Sequence, residues 1–152
     1  MLVASVAPEL AESELTRALA RGENLLIPGA EDADRFMRLV VEKPPRVPRA
    51  VQRYVAARRA GARAVLEDMF RGWVEATPAA GLPRDLHAID QPTLIVHGRC
   101  DRIIHVDTAR KVAAAVPHSR LRVLDGIGHV PQLEAPRAVA ALVADHLARV
   151  PP

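Results

Sequence analysis

Residues 92–104 have the sequence PTLIVHGRCDRII, and the class of fold is most evident in this stretch. Thr93 to His97 form a compact apolar and β-branched run, bounded by Pro92 on one side and Gly98 on the other. Such a run is typical of a strand that is covered on both faces, as the strands of parallel sheets are. We therefore predict a buried parallel strand at this position.

A helix, a second strand and a last helix are predicted to follow this strand. Apolar residues recur at helical spacing as far as Pro117, and Asp107 is predicted to cap that helix. The second strand is expected over Leu121–Leu124, and the last helix from about Pro136 to Leu147. The order strand, helix, strand, helix indicates a right-handed crossover unit with parallel strands. The chain is therefore predicted to be an α/β protein.

The first half of the chain has mainly helical patterns. Residues 2–6 form a short apolar run that predicts a strand, and helices are expected over residues 12–20 and 32–41. Pro48 opens the longest helical pattern, in which apolar residues recur at intervals of three, four or seven as far as Trp73. Because an apolar stripe of this kind usually packs into a core, we expect this face of the helix to be buried.

Composition and charge are those of an ordinary folded chain. Its 152 residues are 49% hydrophobic and 26% charged, with a formal net charge of +3. The basic residues concentrate between Lys43 and Arg71, but no stacking aromatics or nucleic-acid signature accompany them, so nucleic acid is not an expected partner.

The single cysteine, Cys100, excludes an internal disulfide and suits a reducing compartment. No stretch approaches the about 20 apolar residues of a membrane span, and a cytoplasmic location is expected.

An acidic residue and a histidine follow the two predicted strands of the second half. Asp101 lies three residues beyond Gly98, at the carboxyl end of the first strand, and His129 follows the second strand. The carboxyl ends of parallel strands meet at one sheet edge, where α/β proteins place functional side chains. By position alone, Asp101 is also a typical turn residue. Together the two residues predict the acid–base half of a nucleophilic site, in which the carboxylate orients the imidazole and the imidazole transfers protons.

A nucleophile that would complete such a site is not evident in the sequence. The serines are Ser5, Ser13 and Ser119, and none of them lies in a G-x-S-x-G turn between a strand and a helix. Cys100 is interpreted as a turn residue, because no group that would activate its thiol is evident. The chain is therefore expected to lack the nucleophile of its own site.

A metal site is an alternative interpretation of the same region. His97, Asp101 and His105 carry suitable ligand atoms, but their spacing matches no familiar zinc signature, and His97 is expected to point into the sheet. We expect neither a metal nor an organic cofactor, since the chemistry of a nucleophile, an acid and a histidine is carried out by side chains alone.

Residues 91–104 and 128–136 resemble the last two sheet strands of the α/β-hydrolases, together with the loops that follow them. In that family the acid follows the seventh strand and the histidine follows the eighth, after the nucleophile in the chain. The resemblance therefore implies that Asp101 and His129 are the acid and the histidine of a catalytic triad. It also implies that the fold is the C-terminal portion of an α/β-hydrolase, with parallel strands and crossover helices.

The resemblance covers nearly the whole chain and implies how it is organised. Residues 1–8 correspond to the end of a core strand, residues 9–90 to a helical cap or lid region, and residues 91–152 to the C-terminal part of the core. The sequence of the cap is most similar to bacterial lipases and esterases. The implied activity is therefore hydrolysis of a small-molecule carboxylic ester.

The chain departs from the family pattern because the first half of the family fold is missing. The first five strands, the oxyanion-hole loop and the nucleophile elbow would all precede Met1, so no ester hydrolysis is expected from this chain alone. Two related activities stay open. Epoxide hydrolases of this fold use cap tyrosines and haloalkane dehalogenases favour tryptophan donors, and Tyr54 and Trp73 are the single residues of those types.

A second hypothesis is a non-catalytic module, derived from a hydrolase, that binds a partner or associates with itself. Parallel strands with unpaired edges have to be covered by strands from elsewhere. The partner would be a missing amino-terminal half or a second copy of the chain. A defined folded species in solution is expected of such a module.

Overall fold

The computed structural model describes residues 1–3, 11–27, 33–44, 47–76 and 85–149. The elements, numbered along the chain, are β1 (Leu2–Val3), α1 (Glu14–Ala20), α2 (Ala33–Val40), α3 (Arg49–Ala76), β2 (Thr93–Gly98), α4 (Val106–Ala115), β3 (Ser119–Leu124), α5 (Pro131–Glu134) and α6 (Pro136–Arg149). A 3₁₀ turn at Leu86–Ala88 precedes β2. Residues 4–6 of the predicted first strand lie outside the described residues.

The three described strands form one parallel sheet in the order β1-β2-β3. β2 is the middle strand, in which Ile95 pairs with Leu2 on one side and with Leu121 on the other. All six residues of β2 are buried, which explains why this strand has a nearly continuous apolar sequence rather than alternating polarity. The predicted α/β class with parallel strands is confirmed.

The side chains of β2 alternate between two layers of helices. Ile95 packs against α4, where Val112 is buried. Leu94 and Val96 point to the other face and pack against Val139 of α6. Helices therefore cover both faces of the middle strand, as a parallel sheet requires.

The loop after β2 is held in place by the first helices. Leu15 of α1 and Leu39 of α2 form a separate apolar cluster with Ile103 and Ile104. Ser13 caps α1 and also donates its hydroxyl to the carbonyl of Ile103 at 2.7 Å. The described residues between 11 and 76, here called the helical region, therefore help to position the loop that carries the predicted acid.

Some element boundaries differ from those predicted. α4 begins after His105, whose Nδ1 accepts the backbone N–H of Asp107 at 3.3 Å, so the prediction that Asp107 caps this helix is wrong. The imidazole has the acceptor at the capping position, and Asp107 lies in the first turn instead. β3 begins at Ser119, earlier than predicted, and a separate short helix, α5, precedes the predicted last helix.

The long helix α3 is not packed as its apolar stripe predicts. Val51, Tyr54 and Met69 are 47% to 67% exposed, so the prediction that this stripe is buried is wrong for the described side chains. Arg59 attaches the helix to the rest of the chain by donating to the carbonyl of Leu26 at 2.9 Å. The periodicity specifies which face of a helix is apolar, but other elements have to supply the surface that covers it.

In the described ranges, no helix combines the length and the apolar character that a bilayer crossing demands.

Gly98, at the end of β2, is predicted not to tolerate a side chain. A Cβ here would lie 2.0 Å from the carbonyl oxygen of Gly128 and 2.4 Å from that of Ile127, and both are backbone atoms. We expect Gly98→Ala to lower the free energy of unfolding by about 1–3 kcal/mol, the usual range for overpacking, in urea denaturation followed by circular dichroism. Gly61→Ala in α3 is the matched control, since nothing lies within 4 Å of its Cβ, and alanine favours a helix by about 0.5–1 kcal/mol. Equal stability of the two variants would contradict the close approach.

Candidate active site

Asp101 lies in the tight loop that follows β2. Its backbone N–H donates to the carbonyl of Gly98 at 3.3 Å, and its Oδ1 accepts the backbone N–H groups of Ile103 at 2.8 Å and Ile104 at 2.9 Å. The residue is only 4% exposed. Asp101 therefore closes its own turn with one carboxylate oxygen, as a turn aspartate does, and its Oδ2 is left for other partners.

His129 reaches the same place from the loop that follows β3. This loop turns at Gly126, whose φ of +66° lies in the left-handed region that glycine adopts without strain. The backbone N–H of His129 donates to the carbonyl of Val40 at 2.9 Å. The ring Nδ1 lies 2.8 Å from Oδ2 of Asp101, and 25% of the His129 side chain is exposed. The structure thus brings the two predicted site residues together, although 28 positions separate them in the chain.

The two loops touch through their backbones. The N–H of Cys100 donates to the carbonyl of Ile127 at 2.9 Å, and the N–H of Arg99 donates to the carbonyl of Leu124 at 2.9 Å. This contact requires the absence of a side chain at Gly98. The hydrogen bonds between β2 and β3 therefore continue beyond the strands and set the distance between the aspartate and the histidine.

Glu134 connects the histidine loop to the helical region. Its Oε1 accepts the N–H of Gly128 at 2.8 Å, and its Oε2 accepts the N–H of Glu42 at 2.8 Å. Arg102 adds an ion pair to the side chain of Glu42 at 2.6 Å. Together with the hydrogen bond from His129 to the end of α2, these contacts hold the segment after α2 against both site loops.

Asp101 is a charged carboxylate at neutral pH in spite of its burial. Burial by itself raises the pKa of the carboxyl group. Hydrogen bonds from His129, from His97 and from the backbone of Ile104 favour the ionised form and lower the pKa from the ordinary 3.8 to about 2. The negative charge is therefore retained beside the imidazole of His129.

This arrangement can transfer protons. Because an ionised carboxylate only accepts hydrogen bonds, the Nδ1 of His129 that faces Asp101 carries the proton, and Nε2 keeps its lone pair in the neutral ring. Nε2 can remove a proton from a nucleophile and later return it to a leaving group. The carboxylate stabilises the imidazolium that exists between the two steps.

The serines that the sequence contains are engaged elsewhere or are not described. Ser13 caps α1, and its hydroxyl donates to a backbone carbonyl. Ser119 begins β3, at the end of the sheet opposite to Asp101 and His129, and its hydroxyl donates to a carbonyl of α4 at 2.9 Å. Ser5 lies outside the described residues.

The alternative metal site does not assemble. Nδ1 of His105 accepts a backbone N–H at the start of α4, whereas Nε2 of His97 lies at hydrogen-bonding distance, 3.2 Å, from Oδ2 of Asp101. Across the part of the chain that the structure describes, no three His, Cys, Asp or Glu residues are grouped so as to hold a metal ion. Cys100 lies half-buried in the turn, which agrees with its interpretation as a turn residue.

Sequence reasoning missed the roles of two side chains at this site. His97 was expected only to point into the sheet, yet it also contacts the carboxylate of Asp101. Glu134 lies in the stretch 128–136 that resembles the family's histidine loop, but the sequence does not indicate the two backbone contacts that it makes. A signal for His97 was present, because a histidine in a buried apolar strand needs a hydrogen-bond partner.

The chain belongs to the α/β-hydrolase family. The family model described as "Alpha/beta hydrolase family" matches residues 1–142, which is most of the chain. The resemblance that the two motifs of the second half indicated is thereby confirmed.

The curated relatives include lipases and a dienoate hydrolase. Lipase 3 of Moraxella sp. is 28% identical over 83% of this chain and 40% of its own length. Monoacylglycerol lipase ABHD6 of Rattus norvegicus is 28% identical over 90% of this chain and 41% of its own. The 2-hydroxy-6-oxo-2,4-heptadienoate hydrolase of Pseudomonas putida is 36% identical over 63% of this chain and 36% of its own. The chain therefore spans less than half the length of these relatives.

Two solved structures superpose on this chain over about half of their own length. A membrane phospholipase A, described as a novel bacterial virulence factor, superposes with a TM-score of 0.81 at 26% identity, covering 97% of this chain and 46% of that one. The 2-hydroxy-6-oxo-6-phenylhexa-2,4-dienoate hydrolase of a Rhodococcus species superposes with a TM-score of 0.70 at 24% identity, covering 92% and 51%. The described elements therefore form about half of an α/β-hydrolase fold.

The charge of Asp101 is predicted to stabilise the fold at neutral pH. A carboxyl group whose pKa is lower in the folded chain contributes stability that is complete above its ordinary pKa of 3.8 and is lost as the pH falls through about 2. A shift of this size corresponds to about 2 kcal/mol. We expect Asp101→Asn to be less stable than the parent chain at neutral pH, and the difference in unfolding free energy to shrink between about pH 4 and about pH 2.

Urea denaturation at a series of pH values measures this difference. Asp68→Asn is the matched control, because Asp68 is exposed on α3 and its ion pair with Arg71 is 3.6 Å long. An exposed pair of this kind contributes about 0–1 kcal/mol, so the control should stay close to the parent chain at every pH. A stability difference for Asp101→Asn that does not change with pH would contradict the prediction.

Proposed function

We propose that this chain provides the acid and the histidine of a carboxylic ester hydrolase, with Asp101 orienting His129. The observation that carries the proposal is the 2.8 Å hydrogen bond between Oδ2 of Asp101 and Nδ1 of His129. A buried charge is costly unless it is paired and hydrogen-bonded, and perturbed carboxyl groups of this kind concentrate at functional sites. A buried carboxylate beside a partly exposed imidazole therefore supports a role in proton transfer.

His129 would act first as a general base and then as a general acid. Its Nε2 would take the proton of the attacking hydroxyl group, and Asp101 would stabilise the resulting imidazolium. The hydroxyl oxygen would bond to the ester carbonyl carbon, and the imidazolium would protonate the alcohol as the ester C–O bond breaks. A water molecule, activated in the same way, would then cleave the bond between the acyl group and the nucleophile and release a carboxylic acid. These steps need no metal or organic cofactor, because they are proton transfers among side chains, substrate and water.

The nucleophile is proposed to come from polypeptide outside this chain. No serine of the sequence lies in a G-x-S-x-G turn, and the hydroxyls of Ser13 and Ser119 both donate to backbone carbonyls. The three curated relatives each have a large part without a counterpart here, since the chain spans 36%, 40% and 41% of their lengths. A longer product of the same gene or a separate chain would supply the nucleophile.

A small-molecule carboxylic ester is the proposed substrate. The two lipase relatives align with 83% and 90% of this chain, whereas the dienoate hydrolase aligns with 63%. The likeness to lipases therefore covers more of the chain than the likeness to the dienoate hydrolase does. Because the helical region packs against both site loops, it is the part of the chain that would contact the substrate and select it.

Both site residues are expected to be essential in the protein that carries the nucleophile. Translation of the DNA upstream of the Met1 codon, in all three frames, should reveal a G-x-S-x-G motif before the sequence of β1. In the protein that includes it, His129→Ala and Asp101→Asn should each lower kcat for a short-chain aryl ester by at least about 10³-fold. His118→Ala is the control, because His118 is exposed in the turn before β3, at the far end of the sheet.

Three results would count against this assignment. Inhibitor-sensitive ester hydrolysis by the purified chain of 152 residues would show that the nucleophile is not external. Undiminished kcat in His129→Ala would remove the histidine from the mechanism. Absence of the motif upstream would favour the second candidate function.

The second candidate is a non-catalytic module that binds a partner or a second copy of itself. The observation that favours it is the exposed apolar face of α3, where Val51, Tyr54, Val65 and Met69 are 47% to 67% exposed. β1 also pairs with a strand on one side only, within the described sheet. Exposed apolar area and an unpaired strand edge are both surfaces through which chains associate.

Size-exclusion chromatography with light scattering and circular dichroism separates the two candidates. A self-associating module should give one folded species of defined mass, and Met69→Glu, which puts a charge on the apolar face of α3, should reduce that mass to the monomer's. The acid–base half of a longer enzyme should instead give the mass of the monomer both with and without this substitution. A defined dimer that Met69→Glu leaves unchanged would contradict the role of α3.

A further inference from the structure

His97 is a buried histidine that the proposed proton transfers do not use. It is the fifth residue of β2 and is fully buried, in a strand whose other central residues are apolar. Its Nε2 lies 2.8 Å from the carbonyl oxygen of Ile104 and 3.2 Å from Oδ2 of Asp101, the same oxygen that contacts His129. Burial of an imidazole costs free energy that an apolar side chain of similar size would not cost. Its presence therefore calls for an explanation in terms of these contacts.

The contacts determine where the proton of His97 lies. A carbonyl oxygen only accepts hydrogen bonds, so the Nε2 that faces Ile104 carries the hydrogen. Nδ1 is buried and has no hydrogen-bond partner among the described residues, so a second proton there would be left unsatisfied. His97 is therefore a neutral donor, whose single N–H bonds to the carbonyl of Ile104 and has Oδ2 of Asp101 as a second acceptor, 3.2 Å from Nε2.

We propose that His97 is a positioning residue whose Nε2–H holds Oδ2 of Asp101 toward Nδ1 of His129. This assignment rests on the proposed function, because it gives His97 a role within the same site. With His97 in place, Oδ2 is contacted by two imidazoles and Oδ1 by two backbone N–H groups. Four N–H groups therefore face the two carboxylate oxygens, three in direct hydrogen bonds and the fourth, from His97, at 3.2 Å. Any rotation of the carboxylate would break bonds at both of its oxygens.

The same histidine ties the turn to the strand. Ile104 donates its N–H to Oδ1 of Asp101 and accepts at its carbonyl from His97, which also contacts Oδ2. This closed set of hydrogen bonds joins the end of β2 to the turn that carries the carboxylate. A neutral donor suits this position. A lysine or an arginine here would neutralise the negative charge of Asp101, which is needed to stabilise an imidazolium at His129.

The test moves the donor of residue 97 between two positions. In His97→Gln the amide nitrogen lies near the place of Nε2, whereas in His97→Asn it lies near the place of Nδ1, where no described partner exists. His97→Leu removes the donor and keeps much of the volume. Each variant is made in the whole chain of 152 residues, with ¹⁵N-labelled histidine.

The measurement is the exchange with water of the Nδ1 proton of His129, followed by NMR at neutral pH. The Nδ1 proton exchanges when the hydrogen bond between His129 and Asp101 is open, so its exchange rate reports how often this bond opens. We expect the rate to be at least about tenfold higher in His97→Asn and His97→Leu than in the parent chain. In His97→Gln it should stay within about twofold of the parent. His146→Leu is the control, since His146 is a buried histidine of α6: its replacement should lower the melting temperature and leave the exchange unchanged.

Either of two results would overturn the proposal. If His97→Asn and His97→Leu are folded and the Nδ1 proton of His129 exchanges at the parental rate in both, His97 only fills space. If the proton exchanges as fast in His97→Gln as in His97→Leu, the hydrogen-bond donor of residue 97 does not slow the exchange. Should His97→Leu fail to fold, the comparison of His97→Gln with His97→Asn decides, because these variants differ by one methylene group. The measurement needs no turnover. Absence of ester hydrolysis in the longer protein would therefore contradict the proposed function and leave this result standing.

Discussion

The buried charge of Asp101 is the constraint to which the neighbouring structure is fitted. A carboxylate that is 4% exposed is stable only if hydrogen-bond donors surround it. Here the donors come from the turn itself, from His97 near the carboxyl end of the middle strand, and from His129 in the loop after β3. The parallel sheet makes this possible, because it brings the carboxyl ends of β2 and β3 to the same edge.

The helical region lies next to the sheet edge where β2 and β3 end, and it forms hydrogen bonds and an ion pair with the two loops there. The end of α2 accepts the backbone N–H of His129, and Glu134 bridges the histidine loop to the backbone of Glu42. Arg102, which follows the aspartate by one residue, forms an ion pair with Glu42. The segment after α2 therefore contacts both loops of the site. Under the proposed function, these contacts join the helical region to the two residues that would transfer protons.

Much of the fold and part of the site were predictable from local patterns. The buried strand at Thr93–Gly98 follows from its continuous apolar sequence, and the pairing of Asp101 with His129 follows from their positions after two parallel strands. The expected burial of the α3 stripe was wrong, because a periodic pattern cannot show whether another element covers it. The expected cap at Asp107 was wrong because the side chain of His105 occupies that position.

The amino-acid order alone was enough to establish the α/β class, the family resemblance and the two residues proposed for proton transfer, because strand-end position and apolar periodicity are properties of neighbouring residues. The contacts that hold those two residues could be found only in the folded chain. Glu134 bonds to a backbone group 92 positions away, and His97 of β2 and His129 of the loop after β3 converge on one oxygen. A hydrogen bond forms only where donor and acceptor meet within about 3 Å at a suitable angle, and packing of the two loops and α2 sets those distances.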